Sequence, residues 1–202
     1  MNASRPSLAA IVLAAGLSVR MGRPKMLLPW GDKSVIQAVV DTLIESGIEK
    51  ILVVTGAVHE QIGRLLEGYP VELVFNPRFQ DGEMLHSLQS ALTHLDPEVE
   101  GFFIVLGDQP QLLRSTVISL MQEFDAHPAR LIIPSFQMHR GHPWLIHRTL
   151  WEELVALQPP YTLRDILQKH AGEIHYVNLD TPSILADLDT PEDYQKYRPE
   201  TG

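Results

Sequence analysis

Short apolar runs rich in β-branched residues alternate along this chain with longer segments in which apolar residues recur every three or four positions. Residues 8–13 read as a buried strand that runs straight into Ala14-Ala15-Gly16. Ser34 is placed to cap a helix over about 35–46, with Gly47 just past its end. A second strand, 51–55, ends in Gly56 and precedes a helix reaching Leu66. The third strand, 71–75, is broken by Asn76-Pro77. Leu85, Leu88 and Leu92 give residues 82–94 a helical period, and a fourth strand, 101–106, runs into Gly107-Asp108-Gln109-Pro110. After a helix at 115–126 the pattern is less regular: strands at 130–134 and 143–147 flank an expected turn at His139-Arg140-Gly141. Helices at about 148–157 and 163–171 follow, the second capped by Thr162. A last strand, 174–179, precedes Asp187-Leu188-Asp189-Thr190-Pro191, where Thr190 as cap and Pro191 at the first helical position mark a helix start.

Strands alternating with helices predict an α/β fold: one Rossmann-like, mostly parallel sheet with helices on both faces. Such a sheet carries its ligand crevice beyond the carboxyl ends of its strands. The 202 residues suffice for one domain and contain no linker, repeat or low-complexity tract. The expectation is a single domain over 1–202, with a core at about 8–197 and mobile ends.

Composition narrows the function. A net charge of −9 argues against nucleic acid as a partner, since that needs a basic surface. No apolar run nears the roughly 20 residues that span a bilayer, so no membrane partner is expected. Met1 to Ser7 has one Arg and no long apolar region, which argues against a secretory signal. The absence of Cys excludes disulfides and thiolate chemistry and is compatible with a cytoplasmic protein. Against this acidic background Arg20, Arg23 and Lys25 form a local cationic cluster suited to a small anionic ligand.

Three constellations carry candidate chemistry. In Leu13-Ala14-Ala15-Gly16-Leu17-Ser18-Val19-Arg20-Met21-Gly22-Arg23-Pro24-Lys25, small residues after a strand let backbone N–H groups approach a phosphate or base. Arg20 can fork onto phosphate oxygens and Lys25 supplies a point charge. The same pattern also suits a plain glycine loop with solvated cations. Asp108 stands directly after a buried strand, where Mg²⁺ favours one or two carboxylates plus substrate phosphates; the alternative is a turn-forming Asp before Pro110. Asp187 and Asp189 could complete a metal site, with Asp189 preferred, or could serve the dipole of the following helix.

These motifs, in this order, resemble the MobA-like nucleotidyltransferases, closest to their molybdenum cofactor cytidylyltransferase branch. The resemblance runs from about Ala10 to Tyr194. It includes Leu28-Pro29-Trp30, Asn76-Pro77, Gly82 with Ser87, and Arg140-Gly141-His142-Pro143. It implies a fold of the nucleotide-diphospho-sugar transferase type. It also implies a nucleotide site of Leu13, Ala14, Ala15, Gly16, Arg20, Lys25 and Ser87, with Arg20, Lys25 and Asp108 catalytic. Mg²⁺, or Mn²⁺ in its place, would lie on Asp108 and Asp189. Arg140, Gly141, His142 and Pro143 would face the acceptor. Ala14-Ala15, where the guanylyl-transferring branch typically has Gly-Gly, points to CTP. Arg164 could meet an acceptor phosphate or be a solvated helix-start residue. Trp30 and Trp144 read as core, His139 and His142 do not read as a metal pair, and the other histidines, His127 and His175 among them, receive no assignment.

The implied reaction is transfer of CMP from CTP to molybdopterin, already loaded with molybdenum, giving the cytosine dinucleotide cofactor and pyrophosphate. A molybdenum hydroxylase could receive that product. The alternatives are cytidylyl or guanylyl transfer to another phosphorylated acceptor, and a non-catalytic carrier or chaperone of the cofactor.

Overall fold

Strand β1 (Leu8–Ala14) is buried along its whole length, and its alternating side chains feed two separate cores. Ala9, Ile11 and Leu13 join a cluster with Leu85, Leu88 and Leu92, whereas Ala10, Val12 and Ala14 pack with Ile36, Val39 and Leu43. A strand apolar on both faces needs a helix layer on each side, which is the condition for a parallel sheet. The computed structural model describes residues 7–127 and 129–199. Residues 1–6 and 200–202, part of the ends expected to be mobile, lie outside them.

After β1 come a small hairpin, β2 (Pro29–Trp30) and β3 (Lys33–Ser34), then α1 (Val35–Glu45), β4 (Lys50–Thr55), α2 (His59–Leu65) and β5 (Glu72–Phe75). The chain continues through α3 (Met84–Leu92), β6 (Gly101–Leu106), α4 (Arg114–Ala126), β7 (Leu131–Phe136), β8 (His139–Arg140) and β9 (Trp144–His147). It ends with α5 (Trp151–Ala156), α6 (Leu163–Lys169), β10 (Ile174–Asn178) and α7 (Pro191–Tyr197). The sheet order is β10-β7-β9-β6-β1-β4-β5, with β8 paired to β7. In this sheet, among the described residues, only β9 and the short β8 run antiparallel to their neighbours. One face is covered by α3, α5 and α6, the other by α1, α2 and α4. Among the described residues no helix is long and apolar enough to cross a membrane.

The chain leaves β1 towards β4 and β5, then returns to place β6 on the other side of β1. The order therefore reverses between β1 and β6, and loops leaving those two strands diverge to open a crevice. A third, smaller cluster of Met21, Leu28, Val35, Leu188 and Tyr194 ties the loop after β1 to the C-terminal segment. The Tyr194 hydroxyl donates to the Pro29 carbonyl at 2.6 Å.

One local expectation is corrected. His139-Arg140 is not a turn but β8, paired antiparallel with Ser135 and Phe136. The turn is Gln137-Met138, and both residues have positive φ, 48° and 67°. A two-residue hairpin link needs that conformation, but neither Gly nor Asn is there to signal it.

The expected start of α7 is present as a full capping box. The Thr190 hydroxyl accepts from the Asp193 amide at 3.2 Å, and the Asp193 carboxylate accepts from the Thr190 amide at 2.9 Å. Thr190→Ala should cost about 1 kcal/mol and lower the melting temperature by roughly 2–4 °C; calorimetry with no shift would count against the cap.

Candidate active site

The carboxyl ends of β1 and β6 are joined by a hydrogen bond from the Gly107 amide to the Leu13 carbonyl, 3.1 Å. A Cβ at Gly107 would lie 3.0 Å from that carbonyl and 3.1 Å from the Met26 sulfur. Glycine is thus what lets the two loops approach, and it delivers Asp108 to the side of the cationic loop. That loop is braced internally. Ser18 has a φ of 53°; its carbonyl accepts from the Gly22 amide and its hydroxyl from the Lys25 amide, each at 3.1 Å. Backbone held in this sparsely populated region concentrates at functional sites. Residue 16, by contrast, is open: a Cβ there would meet nothing within 4 Å.

The brace aims Lys25 between two carboxylates. Its ammonium donates to Asp108 Oδ2 at 2.8 Å and to Asp189 Oδ1 at 2.7 Å. Arg20 meets the other Asp189 oxygen at 2.7 Å from its exposed position on the rim. The acidic segment is pinned by the Leu188 amide, which donates to the Asp108 carbonyl at 3.1 Å, and by burial of Leu188 beneath Met21 and Tyr194. Asp187, also on the wall of the crevice, accepts from the Gln109 side chain at 2.5 Å.

Electrostatics separate these groups. Burial pulls the Lys25 pKa down, but the Asp108 charge and the bonds to both carboxylates outweigh it, and the net direction is up. The hydrogen bond from Lys25 holds Asp189 below the usual carboxylate range. Asp187 moves the other way, raised first by burial and then by the neighbouring Asp108 charge. Three carboxylates thus gather about Lys25, with Arg20 on the exposed rim. The surplus of hard oxygen donors matches the chemistry of a divalent cation such as Mg²⁺.

Leu13, Ala15, Gly16, Arg20, Lys25, Ser87, Asp108 and Asp189 line one cavity of about 620 Å³. Ala14, the remaining expected nucleotide residue, points through the sheet into the opposite core, as strand alternation requires. Ser87 is fixed by Asn76, whose amide donates to its hydroxyl at 3.0 Å. A second cavity of about 810 Å³ takes Arg140, His142 and Trp144. Glu83, Met84 and Arg164 line both cavities, so the two adjoin. Of the expected acceptor residues, Arg140 and His142 reach the cavity. Gly141 and Pro143 are buried behind it, and a Cβ at Gly141 would run into Ile184.

Trp144 is both core and wall. It is buried, its indole N–H donates to the Gly141 carbonyl at 2.9 Å, and its ring stacks on His142 with centroids 4.5 Å apart. Burial lowers the His142 pKa to about 4, against a weak opposing contact with the Ile104 carbonyl. Sequence reasoning missed Ser18 as a brace, the Gln109 contact of Asp187 and the stacked His142–Trp144 pair. Only the last had a signal, two flat side chains on either side of Pro143 at the entry to a strand.

The sequence pattern of the MobA-like NTP transferase domain matches residues 10–174. The chain belongs to the MobA-like NTP transferase family. Family and fold make it a nucleotidyltransferase. This MobA-like chain is 28% identical over 191 residues to the molybdenum cofactor cytidylyltransferase of Escherichia coli (strain K12), covering 91% of this chain and 92% of that one. Its fold superposes on the crystal structure of Rv0371c from Mycobacterium tuberculosis H37Rv with a TM-score of 0.83 and 25% identity, covering 96% and 98% of the two chains. A manganese complex of that Rv0371c superposes with a TM-score of 0.77 at 26% identity, covering 96% and 98%.

The desolvated imidazole of His142 predicts a stability change with pH. Unfolded chains take up a proton at His142 as pH falls through 6.5, whereas the folded MobA-like protein does not until about 4. Stability should therefore drop across that window as acid is added. His142→Asn should flatten the drop in denaturant unfolding curves at pH 7 and pH 5; equal slopes in both proteins would contradict the burial effect.

Proposed function

We propose that the protein transfers a cytidylyl group from CTP to the phosphate of a molybdopterin-type acceptor and releases pyrophosphate. The observation that carries this reading is Lys25 held between Asp108 and Asp189 in a cavity that opens into a second, partly aromatic one. The first cavity takes the nucleotide, and the second takes the acceptor. The molybdenum cofactor cytidylyltransferase among its relatives supports CTP and this acceptor class.

The acceptor's phosphate oxygen attacks the α-phosphorus of CTP, and the bond to the β-phosphate breaks with its electrons leaving on pyrophosphate. A phosphate monoester is already ionised at neutral pH, so no general base is needed. Residues 13–16 position the nucleotide with backbone amides and open space above Gly16. Lys25 and Arg20 stabilise negative charge that grows on the triphosphate. Arg164, on the wall common to both cavities, orients the acceptor phosphate towards the first. The uncharged His142 and its Trp144 partner offer a flat apolar face to a heteroaromatic ring. Asp108 and Asp189 would hold Mg²⁺ or Mn²⁺, which when bound supplies further charge neutralisation at the triphosphate; the manganese complex of the similar Rv0371c supports a divalent cation.

Asp108→Asn should leave a folded protein and reduce pyrophosphate release by on the order of a hundredfold or more; near-wild-type turnover would remove Asp108 from the site. The substrate assignment is tested by pyrophosphate release with CTP against GTP, with and without molybdopterin. Turnover with CTP only when molybdopterin is present is the expected result. Preference for GTP, activity with a sugar phosphate instead, or cofactor binding without turnover would each overturn it.

A further inference from the structure

At the opposite rim of the sheet, beside the amino end of β10, three side chains with metal-binding chemistry converge. His127 follows the last residue of α4, Glu123 lies one turn earlier, and His175 projects from β10. The same carboxylate oxygen, Glu123 Oε2, is 2.9 Å from His127 Nδ1 and 2.8 Å from His175 Nε2. The two imidazoles stack with centroids 4.0 Å apart and planes within 21°. One donor atom from each residue lies within 4.8 Å of the others. All three side chains are partly exposed, so ions can enter from solvent.

We infer that Glu123, His127 and His175 form a binding site for a borderline transition-metal dication of the Zn²⁺ class, separate from the nucleotide cavity. Ligands about 2.0–2.1 Å from a tetrahedral Zn²⁺ stand roughly 3.3 Å from one another. The two carboxylate–imidazole spacings, 2.9 and 2.8 Å, need to open by only about half an ångström. A neutral imidazole can shift its proton to the outer ring nitrogen, which frees the inward lone pair for a metal. Two imidazoles and one carboxylate leave a fourth position for water. Imidazole donors favour Zn²⁺, Ni²⁺ or Cu²⁺ and disfavour Mg²⁺, so this site and the all-carboxylate one select different ions. A bound ion would join the carboxyl end of α4 to the edge strand of the sheet. Because the three ligands meet only in the folded chain, binding would also raise thermal stability.

The test uses metal-stripped full-length protein carrying Asp108→Asn, which weakens the carboxylate site. Zn²⁺ titration is followed by calorimetry and Co²⁺ titration by visible absorption. One saturable equivalent of each ion is expected, with a Co²⁺ ligand-field spectrum and a higher melting temperature. Adding His175→Ala, or the conservative Glu123→Gln, should weaken binding by on the order of tenfold or more and remove that spectrum. Absence of saturable binding in the Asp108→Asn protein would overturn the inference, as would unchanged affinity in both further variants.

Discussion

The architecture of the crevice depends on one ammonium group. Lys25 lies between Asp108 and Asp189, two carboxylates delivered from different loops. With Lys25 and Asp108 largely buried, each charge needs the other, because a buried charge without a partner is costly. The arrangement joins the loop after β1, the loop after β6 and the C-terminal segment. Each of these has its own support: the hydrogen-bonded turn at Ser18, the close approach at Gly107, and the packing of Leu188 against Met21 and Tyr194.

The sheet explains why these pieces meet. Reversal of strand order between β1 and β6 splits the covering connections to either side and leaves room at the carboxyl edge. The antiparallel β9 and the segment leading into it then carry Trp144 and His142 to the neighbouring side of that opening, where α6 contributes Arg164. The anionic surplus left by Asp187 is tolerated through Gln109, whose amide donates to it, and through its shift towards the protonated form.

Much of this was legible in the sequence. The strand runs, the caps at Ser34, Thr162 and Thr190, and the acidic residue just past β6 follow from local rules of period and capping. The groups lining the first cavity were likewise readable, because Lys25, Asp108 and Asp189 are chemically distinctive. Less legible was anything decided by facing. Ala14 belongs to the expected loop yet points into the far core, and Gly141 and Pro143 support a wall whose surface is made by Arg140 and His142. The Gln137-Met138 turn escaped because its residues are not the usual ones for positive φ. The meeting of Glu123 and His127 with His175 escaped because β10 lies far along the chain, and only sheet order makes it a neighbour of α4.

The separation of the ion-paired residues also bears on how the protein is built. Lys25 and Asp108 are 83 positions apart, and Lys25 and Asp189 are 164 apart. Contacts of such span close long loops and carry a large entropic cost. During synthesis from the amino terminus, β1, β4, β5 and β6 can pair well before Asp189 leaves the ribosome. Until then Lys25 has one carboxylate partner, and the crevice is complete only when the final helix docks.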